Sequence, residues 1–273
     1  MESPFSGIYG EDDRKDVYEA NLNPKERELA NAVAVRVKAS GTQTLPDGSI
    51  DLKPTPLKAL YKTCDGERFE NQPLVGACTG FLIGPDLLAT AGHCVKSDEI
   101  CKQHLWVFGY MLDAKDKDVS RSKPGDVYRC SKIERISLRK PGTDHLDYAV
   151  IRLDRPVTGR APISLAGKEA RLSDKVKMIG HPLGIPLKVT GNEKTIIRST
   201  EDDQSGHTFW ITNLDGFTGN SGSPVFREED QSLVGIFVWG DKDFDESLGC
   251  RKSIKRSDEE GLGERVVPVK YLN

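Results

Sequence analysis

An all-β domain, barrel or sandwich, is predicted by two features of this chain. Short apolar runs recur from residue 75 onward, at 80–84, 105–108, 149–151, 176–179, 209–211 and 233–239. Turn residues separate them, which is the signature of many short strands rather than of helices. At 273 residues the chain accommodates one large β domain or two small ones, with a substantial core. No internal repeat or low-complexity tract interrupts the pattern.

Bulk chemistry narrows the function. Hydrophobic residues at 37% and charged residues at 30% suit a soluble globular protein. A net charge of -3 carries no footprint for nucleic acid, so none is expected as a partner. No stretch reaches the length of a transmembrane helix, and no membrane partner is expected. The start, Met1-Glu2-Ser3-Pro4-Phe5-Ser6, lacks a basic segment followed by an apolar one. An export signal has therefore been removed, or export by that route does not occur. The six cysteines, Cys64, Cys78, Cys94, Cys101, Cys130 and Cys250, are even in number and show no C-x-x-C spacing. Disulfides in an oxidising, secreted or periplasmic setting fit this better than zinc. Six reduced thiols in a cytosolic protein are the plainer alternative.

Residues 1–20 are polar and acidic and read as an extended arm. Asn23 caps a short helix opened by Pro24 and continued by good helix formers. Residues 32–37 alternate as a strand does, although they could continue the helix. Residues 40–73 are rich in proline and glycine and read as loop with short ordered pieces. The segment 113–118 mixes both charge signs and reads as a solvated loop. Residues 241–273 are too few for a further domain and read as a barrel edge or closing segment.

Three motifs carry chemistry. Gly219-Asn220-Ser221-Gly222-Ser223-Pro224-Val225 sets a serine between glycines, where backbone can approach a reactant closely. Such a serine becomes a nucleophile only beside a base and an orienter. Ala89-Thr90-Ala91-Gly92-His93-Cys94 offers the base at the end of a predicted strand, with small residues leaving room for a turn. Asp147, opening the apolar run at 148–153, offers the orienter, since a carboxylate flanked by core residues needs a partner. Attack on a peptide carbonyl creates an oxyanion, for which the amides of Gly219 and Ser221 are the candidates. Taken singly, His93 reads as structural and the glycine motif as an ordinary turn; together they point to a serine endopeptidase with polypeptide substrates and no cofactor. Asp144 and Asp154 are rivals to Asp147, read as solvated and as a turn residue. His145 and Ser223 are rivals read as surface and structural.

In the order His, Asp, Ser, the segments 90–94, 147–153 and 219–225 resemble the chymotrypsin-like serine proteases. The wording around Ser221, the run Gly180-His181-Pro182-Leu183-Gly184 and the arm Ile8-Tyr9-Gly10-Glu11-Asp12-Asp13-Arg14 resemble the bacterial branch of glutamyl endopeptidases and exfoliative toxins. The resemblance implies two six-stranded antiparallel β-barrels with the active site in the cleft between them and an N-terminal extension. It divides the chain into an arm and short helix, 1–40, and a peptidase domain, 41–273, with the barrels breaking near 155–175. It also implies a Cys78–Cys94 disulfide closing the histidine loop; the other four cysteines allow three pairings.

The same resemblance places a primary pocket among Asp215, Thr218, Val238, Trp239 and Gly240, with the strand at 238–240 offering backbone to an extended substrate. Asp215 lies six residues before Ser221, where trypsin-like relatives carry the carboxylate that binds Arg or Lys. A preference for Arg or Lys thus stands beside the alternative that Asp215 caps a turn. Phe237 and Val238 occupy the place of the histidine that glutamyl endopeptidases use for acidic side chains, which argues against that specificity. Asn220 replaces the aspartate that pairs with a new amino terminus on activation, so that device is absent. Val238 replaces a serine that supports the triad aspartate in many relatives. A protease-like binding protein that no longer cleaves is the rival from another class, and the presence of all three residues weighs against it.

Overall fold

The structure, a computed structural model, describes residues 7–138, 146–167, 169–203, 205–240 and 242–272. Asp144 and His145 lie outside the described residues, as does the start at 1–6.

Six strands close into a barrel: β1 (Val33–Lys38), β2 (Gly76–Leu82), β3 (Leu87–Thr90), β4 (His104–Phe108), β5 (Val127–Ser137) and β6 (Tyr148–Leu153). All pairings are antiparallel, in the order β1-β2-β3-β6-β5-β4 and back to β1. Phe81, Leu88, Trp106, Phe108, Tyr128 and Ile151 fill its interior, each essentially inaccessible to water. Closure removes the exposed edges that an open sheet would present.

A second sheet contains β7 (Val176–Gly180), β8 (Lys188–Thr190), β9 (Ile197–Asp202), β10 (Thr208–Thr212), β11 (Pro224–Arg227), β12 (Leu233–Trp239) and β13 (Glu264–Pro268). Its order is β9-β10-β13-β12-β11-β7-β8, with Lys15–Asp16 of the arm as an eighth strand. It curls until a lone bridge joins Lys175 to Ile196, without a closing ladder. The second half is therefore a curled half-barrel of eight strands where six in a closed barrel were expected, because the arm and β8 extend one edge. Val176, Met178, Ile197, Leu214, Val225, Phe237 and Val266 pack within it. β13, from the segment read as a barrel edge or closing segment, lies between β10 and β12.

β1 belongs to the first barrel, and the arm is docked: Ile8, Tyr9, Arg14, Asp16 and Val17 are all buried. The helix α1 (Pro24–Asn31) carries the cap read from sequence, with the Asn23 side chain accepting from Glu26 N and Glu26 reaching back to Asn23 N. The segment 113–118 is exposed throughout. Among the described residues no helix is long and apolar enough to cross a membrane.

Three disulfides join Cys64 to Cys250, Cys78 to Cys94 and Cys101 to Cys130. The Cys101–Cys130 bond ties the short helix Asp98–Lys102 to β5 across 29 residues. Replacing both cysteines with serine is expected to lower stability by about 2–4 kcal/mol, read as a lower urea midpoint with an unchanged circular dichroism spectrum.

Candidate active site

β3 ends at Thr90, and the chain turns through Gly92–Cys94 to present His93. Asp147 sits immediately before β6, whose pairing with β3 brings Ala149 opposite Thr90. The carboxylate is only 6% exposed and is doubly engaged. Its Oδ1 accepts from His93 N at 2.8 Å, and its Oδ2 lies 2.6 Å from His93 Nδ1. An ionised acceptor at Nδ1 puts the ring hydrogen there and leaves Nε2 as the basic nitrogen. Gly92 makes this approach possible, since a Cβ on it would lie 2.9 Å from Asp147 Oδ1. The support that Val238 cannot give is supplied by the backbone of His93 itself.

Ser221 lies on the loop before β11. Gly219 and Gly222 adopt φ of +99° and +93°, conformations that glycine tolerates and other residues resist. The loop is bound to the first barrel through one buried residue, Thr79. Its N–H donates to Ser221 O at 2.9 Å, and its hydroxyl donates to Gly219 O at 2.9 Å. That hydroxyl also accepts from His181 N, while Thr90 Oγ1 donates to Thr79 O. On the other side Gly222 N donates to Phe237 O and Phe237 N to Ser223 O. Among the described residues, neither Gly219 N nor Ser221 N donates to a protein acceptor.

One cavity of about 430 Å³ gathers most of the sequence-predicted residues: His93, Thr218, Gly219, Ser221, Val238, Trp239 and Gly240 line it together. Asp147 lies behind His93. A somewhat larger concavity, around Thr42, Pro124 and Arg155 on the first barrel, contains none of them. Cys78, His93 and Cys94 cluster closely enough to suggest a metal site, but both sulfurs are spent in a disulfide.

Asp215 is the exception. It does not line the cavity, and its carboxyl accepts from Tyr9 N at 2.8 Å and Asp13 N at 2.9 Å. Burial, aided by the neighbouring Asp13 charge, pushes its pKa well above the usual carboxylate range. Asp215 is thus turned to the docked arm, and it caps no turn of its own segment. Two acidic residues not singled out in the sequence line the cavity in its place: Asp243 and Glu264. Asp243 accepts from Thr218 N at 2.9 Å, and burial pushes its pKa up to about 6. Thr79 was also missed, because a threonine in a strand carries no local signal.

These two barrel-like halves, joined at a cleft that holds a histidine–carboxylate pair and a serine on a glycine turn, define a chymotrypsin-like fold. A match to the trypsin-like peptidase domain runs over residues 78–236, and the chain belongs to that family. Among curated relatives it is 26% identical over 193 residues to an extracellular metalloprotease of Bacillus subtilis, covering 67% of this chain and 57% of that protein. It is 26% identical over 165 residues to a glutamyl endopeptidase of Bacillus licheniformis, covering 56% and 46%. The chain therefore spans less than two thirds of the length of either. The fold is shared with the VesB protease of Vibrio cholerae, at a TM-score of 0.52 and 16% identity over 93% of this chain and 64% of that one. It is shared equally with a scabies mite inactivated protease paralogue, at 0.52 and 15% over 97% and 93%.

Two predictions follow from the geometry. Thr79→Val keeps the shape of the side chain but leaves Gly219 O and His181 N without their partner, so a stability loss of about 1–3 kcal/mol is expected in urea melts. For Asp243, the folded state retains its proton between pH 3.8 and about 6 while the unfolded chain has released it. Stability contributed by this group is therefore full at low pH and is lost as pH rises through that window. Asp243→Asn should flatten the fall in urea midpoint over the same window.

Proposed function

We propose that the protein is a serine endopeptidase that cleaves polypeptides through an acyl-enzyme on Ser221. The observation that carries this reading is that His93, doubly anchored to Asp147, lines a single cavity together with Ser221. Ser221 Oγ attacks the substrate carbonyl carbon, and its proton passes to His93 Nε2. The carbonyl electron pair moves to oxygen, where the amides of Gly219 and Ser221 stabilise it. Collapse breaks the C–N bond as the imidazolium returns the proton to the leaving amine. Water then attacks the ester with His93 again as base, releasing the acid and restoring the serine. Asp147 stays ionised throughout, holding the ring and favouring its protonated form.

Three disulfides and a relative named as extracellular support action outside the reducing cytosol. Specificity for acidic side chains, suggested by the relative named glutamyl endopeptidase, is disfavoured by a cavity that already holds two carboxyl groups. An inactivated paralogue among proteins of this fold favours the second reading, a binder that does not cleave. Retention of all three side chains weighs against it.

Ser221→Ala is expected to lower peptide hydrolysis by about 10⁴-fold or more with the fold intact, as is His93→Ala. A neutral fluorophosphonate should label Ser221, mapped by mass spectrometry of the digested adduct. Hydrolysis that survives Ser221→Ala, or labelling at another serine, overturns the reading.

A further inference from the structure

Three groups in the cavity besides His93 carry ionisable side chains: Arg36, Asp243 and Glu264. Glu264 opens β13 and is 1% exposed. Its position is set by strand pairing. β13 lies beside β12, whose end carries the cavity residues Val238 and Trp239, with Trp239 opposite Arg265. Side chains alternate across a strand, so Glu264 and Arg265 face opposite ways. Arg265 turns to Glu201, bonding it at 2.6 and 2.9 Å. Glu264 turns to the cavity.

Two glycines frame its carboxylate. A Cβ on Gly240 would overlap Glu264 Oε2, and one on Gly216 would lie 2.7 Å from the same oxygen. Gly216 and Gly240 are themselves cavity residues, on the segment leading to Ser221 and on the segment following β12. The carboxylate thus occupies space between two bare stretches of backbone, where it can meet a side chain entering beside Ser221. Asp243, held by Thr218 N, lies on the same cavity and adds to its acidic character.

We propose that Glu264 is the residue that selects the substrate, by receiving a cationic side chain, Arg or Lys, from the residue just before the scissile bond. This rests on the endopeptidase reading and moves the selecting charge from Asp215 to another strand. A charge-assisted hydrogen bond in a partly dehydrated site favours such a side chain over a neutral one of similar length. An acidic side chain would meet like charge.

The test uses the whole chain and a peptide set varying only that residue, as Arg, Lys, Leu, Ala or Glu. The expected result is kcat/KM for Arg and Lys about 10–100-fold above Leu, with Glu lowest. Glu264→Gln should lower the Arg-to-Leu ratio by about the same factor. Glu264→Asp should retain a preference for cations, and Asp215→Asn should leave the ratio where it was. Benzamidine, a cationic amidine, should inhibit the native chain more strongly than neutral benzamide, and this difference should fall in Glu264→Gln. Fluorophosphonate labelling of Ser221 in each variant reports whether the site is assembled. Labelling of the native chain at Ser221 with no preference for Arg or Lys overturns this inference and leaves the endopeptidase reading standing. A preference for Ala overturns it too, since Glu264 would then be filling the pocket. Absence of both labelling and hydrolysis in the native chain overturns both. Where Glu264→Gln does not fold, the native peptide profile and the Glu264→Asp variant decide.

Discussion

One buried threonine sets the relation between the two halves of the molecule. Thr79 uses its amide and its hydroxyl across the joint, binding Ser221 O, Gly219 O and His181 N, while its carbonyl accepts from Thr90 Oγ1 within the first barrel. The serine loop belongs to the second sheet and the histidine to the first barrel, so nothing in either half alone fixes their separation. The neighbouring disulfide reinforces the joint. Cys78 precedes Thr79 and Cys94 follows His93, so the bond links the strand that grips the serine loop to the turn that presents the ring. Cys94 Sγ also lies 3.7 Å from Ser221 O. A shift of the loop would break several buried hydrogen bonds together, which is why a short glycine-rich segment can hold a defined geometry.

The arm extends the same logic to the cavity wall. Arg14 is almost wholly buried, its guanidinium paired with both oxygens of Asp12 and lying 4.0 Å over the Phe217 ring. Phe217 lines the cavity, so a cation from residue 14 backs the cavity wall. Arg68 closes over the arm by donating to Asp12 O and Arg14 O at 2.7 Å each. Asp13 and Asp215 meet in this region, and their mutual repulsion is offset by amides and by Asn192, which donates to Asp13 at 2.7 Å. The arm is therefore a structural part of the second half rather than a trailing segment, and the charges of Asp12, Asp13, Arg14 and Asp16 are met at short range by protein groups.

Much of this was legible in the chain. The apolar runs became strands because their alternation and turn boundaries are local properties. Asn23 and Pro24 opened a helix because capping is settled within four residues. His93 and Ser221 stand out because their neighbours are glycines and small residues, and Asp147 because it opens an apolar run. What escaped is what depends on partners far away. Thr79 looks like any strand threonine until the loop at 219–221 is laid against it. Arg14 reads as one residue of an extended polar arm until Phe217 comes under it. Asp215 has the spacing of a pocket acid, but spacing along the chain cannot reveal that residues 9 and 13 return to occupy its carboxyl.

That occupation has a consequence for where a pocket charge can sit. A carboxyl that accepts from two arm amides and is pushed toward its neutral form has little field to offer a substrate, whatever its place in sequence. Another acidic side chain does face the cavity: Glu264, placed at the start of β13 by the pairing of β12 with β13. The glycines opposite it complete the exchange, since any side chain at Gly216 or Gly240 would claim the volume that Glu264 fills. Asp215 is turned inward to secure the arm, and the arm's Arg14 packs over Phe217, which shares the cavity wall with Glu264.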